Sequence, residues 1–280
     1  MRSRFYILIF IFLISALFAQ SEGELDANFG TNGIVSIDVG DRLGMYTNVG
    51  LQSDGKIIVA ANWSFNNGYS KVYQLQTNGD VVSSFGNNNG YVQLTWQATS
   101  NSKRTMLIQD DDKIVMADGT VHGFKLLRLN SNGSSDSFAG TTNLSEGYEN
   151  DQHAIGLNSD GKVILASNMY ILSNQTYPAV NITYNTDGSR ASYKVFDSSW
   201  QMTVWNMAVQ SDGKFIVGGG VTNANPNGGF LGRYNADGTF DTSFSSDGYI
   251  KTDFGDVFDV VIQSDGKILT ISNSSGLKRF

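Results

Sequence analysis

The chain contains no cysteine, and only two prolines and two histidines among its 280 residues. Without a thiol it can form no disulfide, no cysteine nucleophile and no thiolate metal site. Two histidines with no cysteine make a poor zinc ligand set. His122 and His153 stand once each, in non-equivalent surroundings, as packing or surface histidines do. No G-x-S-x-G elbow, H-E-x-x-H pair or phosphate-binding loop occurs. Glutamate is also scarce. Beyond residue 19 there are Glu22, Glu24, Glu146 and Glu149, so an acid–base pair has few places to come from. Positive charge is in the minority, with 19 Lys and Arg against 26 Asp and Glu. An acidic surface repels phosphate backbones and anionic lipid, which argues against nucleic acid and membrane surfaces as partners.

The one long apolar run is at the start. Arg2 and Arg4 precede an apolar stretch from Phe5 to Phe18, and Leu17-Phe18-Ala19 then lead into Gln20. This is the pattern of a secretory signal peptide. The run is shorter than the roughly 20 residues that a spanning helix needs. Residues 1–19 are therefore expected to be cleaved and residues 20–280 to form a single secreted or cell-envelope domain, with no membrane span. Cleavage removes two arginines and leaves a net charge of −9. With no disulfides, burial and sheet hydrogen bonds must hold that domain together. Its length suffices for a large core.

A repeat dominates what is present. Lys56, Lys113, Lys162, Lys214 and Lys267 each follow a similar turn, in QSDGK, QDDDK, NSDGK, QSDGK and QSDGK, at spacings of 57, 49, 52 and 53 residues. The residues five and seven places before each lysine are apolar: Leu51/Val49, Ile108/Met106, Leu157/Ile155, Val209/Met207 and Ile262/Val260. That period of two sets one strand face against a core. A β-branched run follows each lysine. Four places on stand Ala60, Ala117, Ala166 and Gly218, small enough for close sheet packing, whereas the fifth copy has Ile271. Two further strands complete each unit, as in "KVYQLQ" and "GYVQLTW". Asp-Gly and Asn-Gly at the turns supply residues that adopt positive φ. Asp112 replaces the turn glycine in the second unit, so that hairpin is expected to be strained or differently shaped.

Repeated four-stranded antiparallel meanders of this length predict an all-β fold, a five-bladed β-propeller. The ends match each other. Leu277–Phe280 aligns with Leu231–Tyr234, while Gly23, Asp26, Phe29 and Gly33 align with Gly238, Asp241, Phe244 and Gly248. The expectation is a monomeric ring closed by pairing the N- and C-terminal segments, which removes exposed sheet edges.

The segment Asn235–Ser272 resembles the delta-60 repeat, a family of secreted bacterial repeat proteins. The resemblance lies in Arg233-Tyr234-Asn235, Gly238, Phe244, Gln263 and Gly266. It implies a propeller-like fold and an envelope or extracellular location, and it implies no catalytic residues. The second and third units depart furthest from the pattern.

Function is then sought where the copies disagree. Eight places before the lysines stand Asn48, Thr105, Ala154, Asn206 and Asp259. If the strand preceding the lysine is innermost, Asn48, Asn206 and Asp259 form a partly polar ring near the axis. Glu146 and Glu149, with Asp151, form a carboxylate cluster expected on a solvated loop. Asp110, Asp111 and Asp112 could contribute to a calcium site, although the EF-hand spacing is absent; no other cofactor is implied. Trp63, Trp96, Trp200 and Trp205 are available as sugar platforms but do not recur at equivalent positions. The leading expectation is a non-catalytic scaffold that binds a protein or glycan. The alternatives are a glycoside-processing enzyme with carboxylates near the ring centre, and a purely structural envelope component.

Overall fold

The computed structural model describes residues 23–38, 46–62, 69–95, 105–120, 123–143, 147–171, 177–196, 201–222, 228–252, 255–274 and 276–280. The signal-peptide pattern at 1–19 lies outside them. Among the described residues no helix is long and apolar enough to cross a membrane.

Among the described residues nineteen strands form five antiparallel sheets in chain order. The first contains β1 (Tyr46–Leu51), β2 (Ile57–Asn62), β3 (Tyr69–Leu75) and β4 (Tyr91–Thr95). The second contains β5 (Thr105–Ile108), β6 (Ile114–Thr120), β7 (Gly123–Leu129) and β8 (Ser135–Asn143). The third contains β9 (Gly147–Leu157), β10 (Val163–Ile171), β11 (Ala179–Tyr184) and β12 (Arg190–Val195). The fourth contains β13 (Gln201–Val209), β14 (Phe215–Thr222), β15 (Gly228–Tyr234) and β16 (Tyr249–Thr252). The fifth has three strands, β17 (Val257–Ile262), β18 (Ile268–Ser272) and β19 (Gly276–Arg279). Each sheet is a meander in which every strand pairs with its sequence neighbour. This is a five-bladed β-propeller.

The strands that precede the lysine turns (β1, β5, β9, β13 and β17) contact one another from blade to blade and are innermost. Four hydrophobic clusters fill the four successive joints. Ile58, Ala60, Phe85 and Met116 join blades 1 and 2. Ala117, Leu126, Leu165 and Ile182 join blades 2 and 3. Ala166, Met207, Phe215 and Val217 join blades 3 and 4. Ile216, Leu231, Val257 and Val260 join blades 4 and 5. The small residue after each of the first four lysine turns belongs to this packing. A Cβ on Gly218 would lie 2.7 Å from Val260 and 2.8 Å from Val257 of the next blade. Neighbouring blades approach closely enough there that a larger side chain must displace something.

The lysine turns share one geometry. Gln52 N–H donates to the Lys56 carbonyl and Gly55 N–H to the Gln52 carbonyl, with Gly55 at φ +83°. This is the three-residue hairpin loop that ends in a left-handed residue. The hairpin at Asp112, expected to be strained or differently shaped, keeps the shared shape and carries the strain. Asp112 N–H donates to Gln109 at 2.9 Å and Gln109 N–H to Lys113 at 2.8 Å, with Asp112 itself at φ +62°. Aspartate tolerates the left-handed region, and its carboxylate is used across the joint, accepting from Ser53 N–H and Ser53 Oγ, each at 2.6 Å. The local strain is offset by a contact that glycine could not make.

Residues 23–38 lie against blade 1. Gly30 N–H donates to the Asn78 carbonyl at 2.7 Å. Between blades 1 and 2, Gly86 N–H likewise donates to Asn132 at 3.2 Å. The N-terminal segment thus sits on blade 1 as the Phe85-Gly86 segment of unit 1 sits on blade 2. Closure of the ring by this segment fits the arrangement. The pairing of residues 34–38 with β19 is not among the strand pairs of the described residues. Val49 and Leu51 on β1 remain 74% and 67% exposed, and Ile271 and Leu277 of blade 5 remain 48% and 69% exposed.

Candidate functional site

The inner strands of blades 4 and 5 carry the most developed polar and aromatic constellation. Each strand contains a β-bulge. The register of β13 against β14 shifts between Val204 and Asn206, and that of β17 against β18 shifts between Val257 and Asp259. The bulged residues are Trp205 and Phe258, which occupy equivalent repeat positions. An extra residue re-aims the side chains around it. Here the two rings meet edge to face, with centroids 5.2 Å apart. Trp205 Nε1–H donates to Asp256 Oδ2 at 3.2 Å. Asn206 Nδ2–H donates to Asp259 Oδ1, which also accepts from Val260 N–H at 2.9 Å.

Both carboxylates therefore turn toward β13. Residues three apart on a regular strand face opposite ways, and the bulge at Phe258 between them restores a common side. Phe258 is 41% exposed and Asp259 is exposed. The result is an accessible aromatic edge beside two carboxylates and an amide. Gly220 leaves room for this carboxylate: a Cβ on it would stand 2.3 Å from Asp256 Oδ1 and displace the aspartate side chain.

Of the residues expected near the axis, Asn206 and Asp259 are brought together. Asn48 holds the matching place on β1, opposite Ala60. Asp256 and Phe258 were not among the expected site residues. Their signal was available in the aligned dipeptides Trp205-Asn206 and Phe258-Asp259, where an aromatic precedes a polar residue in two successive units.

The remaining expectations fall elsewhere. Glu146 lies outside the described residues, as do Trp63, Trp96, Trp200 and His122. Glu149 was expected on a loop but lies in β9, opposite Met169, in an 11-residue strand that also takes in Asp151. The loop is thereby corrected: after the register shift between Ser167 and Met169, pairing with β10 resumes at Glu149, Tyr148 and Gly147, so this stretch is strand. His153 is fully buried, and its Nε2 donates to the Ala117 carbonyl at 3.3 Å. Asp110 is exposed, Asp111 pairs with Lys113 at 3.2 Å, and Asp112 is engaged by Ser53. Among the described residues no group of three or more His, Asp or Glu side chains is arranged to hold a metal ion.

A second recurrent constellation lies on the outer side of the lysine turns. In blade 4, Asp241 Oδ2 accepts from Arg233 Nε at 2.7 Å and Lys214 Nζ at 2.9 Å. Its Oδ1 accepts from Ser243 N–H at 3.0 Å and Ser243 Oγ at 2.6 Å. In blade 2, Asp136 takes the same place with Arg128 at 3.1 Å and Lys113 at 3.4 Å. Hydrogen bonding from Arg128 holds the Asp136 carboxyl down to about 2, and Ser243 and Lys214 hold Asp241 well below the usual carboxylate range. These depressed values accompany structural ion pairs rather than catalytic groups.

The comparisons with known proteins agree with this architecture. Residues 52–91 and 210–244 match the family described as "Domain of unknown function (DUF5122) beta-propeller". These stretches cover the lysine turns of blades 1 and 4 and the strands that follow, so the chain is similar to propeller-repeat proteins. No curated protein matches it. A protein of unknown function from Dyadobacter fermentans is similar in structure, with 12% identity and a TM-score of 0.52, over 83% of this chain and 77% of that one. An α-L-arabinofuranosidase of Fusarium graminearum, solved with an iminosugar inhibitor, is similar with 9% identity and a TM-score of 0.52, over 86% of this chain and 82% of that one. At these identities the likeness is one of fold.

Proposed function

We propose that the protein is a secreted, non-catalytic binding propeller that takes a glycan on the inner strands of blades 4 and 5. The observation that carries this reading is the Trp205–Phe258 pair beside Asp256, Asn206 and Asp259. A sugar ring offers apolar C–H faces and a rim of hydroxyls. An exposed aromatic edge stacks on the first, while carboxylates and an amide accept from and donate to the second. Export is supported by the signal-peptide pattern, and the acidic surface suits a neutral ligand better than a phosphorylated one.

The test is a glycan array with the chain lacking residues 1–19, followed by titration of any hit. Trp205→Ala and Phe258→Ala should each weaken binding at least tenfold, and a control at Tyr69 should not. An array without hits at micromolar concentrations, or binding indifferent to both substitutions, refutes the reading.

A glycoside-processing enzyme is the second reading, favoured by the two carboxylates, Asp256 and Asp259, that both accept from side chains of β13. The similar fold of the Fusarium graminearum arabinofuranosidase makes arabinose-containing oligosaccharides the first substrates to try. Release of sugar that is abolished by Asp256→Asn and by Asp259→Asn separately would select this reading over binding alone.

A further inference from the structure

Blade 1 lacks the ion pair that blades 2 and 4 possess, and a cleft stands at that place. Lys56 is the equivalent of Lys113 and Lys214. Gln74 stands where blades 2 and 4 have Arg128 and Arg233, and Val82 where they have Asp136 and Asp241. Gln74 reproduces only half of the arginine's work. Its Nε2 donates to Gln52 Oε1 at 2.6 Å and to the Ser131 carbonyl of the next blade at 3.0 Å. Arg128 makes the matching pair of bonds, to Gln109 Oε1 at 3.4 Å and to the Thr186 carbonyl at 2.9 Å. The arginine's remaining donors, which grip the aspartate, have no counterpart on glutamine.

The vacated space is a cleft of about 370 Å³ in which Lys56, Gln76, Ser84, Asp112 and Asn132 present polar groups. It is remote in the chain from Trp205 and Phe258 and independent of them. We propose that this cleft binds a carboxylate-bearing sugar of the uronate class, whose carboxylate faces Lys56 as Asp136 and Asp241 face Lys113 and Lys214, beside the Val82 side chain.

Three observations carry the assignment. The lysine of this turn holds a carboxylate at this place in two sibling blades, at 2.9 Å and 3.4 Å. Its own turn aspartate does not exhaust it, because Lys113 pairs with Asp111 and with Asp136 at once. Lys56, which pairs with Asp54 in its own turn, therefore retains capacity for a second carboxylate. The rest of the lining suits hydroxyls. Gln76 and Asn132 offer amide donors and acceptors, Ser84 a hydroxyl, and Asp112 a carboxylate that can accept. Lys56 is the one cation among the lining residues, against the carboxylates of Asp54 and Asp112, so the lining carries no net positive charge. A bare multivalent anion is thereby disfavoured, while a single carboxylate on a polyol is accommodated.

The test uses NMR titration of the chain lacking residues 1–19 with glucuronate, glucose and acetate. Glucuronate should bind with a dissociation constant on the order of 1 mM, as two or three charge-assisted hydrogen bonds sustain, with shifts centred on residues 52–56 and 131–133. Acetate should compete with it and glucose should not bind. Lys56→Ala should weaken glucuronate at least tenfold, whereas Lys214→Ala should leave it unchanged. The double variant Gln74→Arg, Val82→Asp rebuilds the triad of blade 4 inside blade 1. It should abolish binding while leaving the melting temperature equal or higher, which separates loss of the site from loss of the fold. Glucose binding as well as glucuronate, glucuronate shifts elsewhere on the molecule, or undiminished binding by the double variant overturns the assignment. Binding lost in the double variant but preserved in Trp205→Ala distinguishes this cleft from the inner-strand site.

Discussion

Replacing Asp241 by alanine removes four hydrogen bonds at once, two from Ser243 and one each from Arg233 and Lys214. The aspartate side chain is only 7% exposed, whereas those of Arg233 and Lys214 are 20% and 31% exposed. Breaking a buried pair costs about 3–5 kcal/mol because a charge is stranded, and exposed pairs contribute under about 1. Water reaches both cations, so the loss should fall between these limits, at about 2–3 kcal/mol. For a domain of this size each kcal/mol moves the melting temperature by about 2–4 °C, giving about 5–10 °C. Circular dichroism or calorimetry at pH 7 reads it directly. The pH dependence gives a second test. The carboxyl is lowered in the folded chain, so it binds protons less readily there than when unfolded, where its value is about 3.9. Its stabilisation is complete above about pH 5 and declines as pH falls through 4 toward the folded value. The gap between wild type and Asp241→Ala should therefore narrow between pH 5 and pH 2. A loss under about 2 °C at pH 7, or a gap that widens on acidification, would refute the argument that this ion pair fastens blade 4.

Three further outcomes follow from the packing. Gly218→Leu drives a side chain into Val257 and Val260 at the joint between blades 4 and 5, and should cost about 1–3 kcal/mol in chemical denaturation. Asp112→Ala combines a left-handed backbone that alanine disfavours with loss of both Ser53 bonds, and should cost about 2 kcal/mol; Asp112→Gly removes only the bonds and should cost less. Ile34→Cys with Lys278→Cys places the only two thiols of the chain at positions that match the β15–β16 pair Tyr249 and Gly232. Oxidation should join them within one chain, visible as a mobility shift without dimer on a non-reducing gel.

The fold was readable because each unit repeats the same solution. A period of two before every lysine marked the inner strands, and the turn residues marked the hairpins. Small residues at 60, 117, 166 and 218 announced the close joints. What escaped was the content of particular sites. The bulges at Trp205 and Phe258 depend on how two strands share register, and no single strand's pattern encodes an inserted residue. The Asp136 and Asp241 triads join residues drawn from three segments of one blade: the lysine turn, the third strand and the stretch that follows it. They become visible in sequence only when lysine, arginine and aspartate are compared as a set across units. At Asp112 the backbone strain was legible from the missing glycine, but the compensating bonds to Ser53 were not, because they cross a blade boundary 59 residues away.

The exception at Ile271 bears on how the ring is fastened. The residue four places after each lysine faces the following blade, as Gly218 faces Val257 and Val260. In blade 5 that residue is Ile271, and it is exposed. Closure would set that face against Val49 and Leu51 on blade 1, which correspond to Val260 and Ile262 and are exposed too. A bulky residue is admissible at Ile271 only if the last joint is wider than the other four. Charge marks the same joint. Lys267 and Arg279 correspond to Lys214 and Arg233, and the aspartate that matches Asp241 is Asp26, on the segment that lies against blade 1. Closure would bring Asp26 between the two cations and complete a third triad. The cysteine pair at 34 and 278 measures that event. Antiparallel partners stand about 4.5–5.5 Å apart at Cα, within the range that a disulfide bridges. An intrachain bond that forms readily in the parent background and slowly when Asp26→Asn is added would establish both the closure and the carboxylate's part in it. Disulfide-linked dimers would assign the same contacts to a neighbouring copy. Thiols that remain free under oxidation would exclude this closing pair.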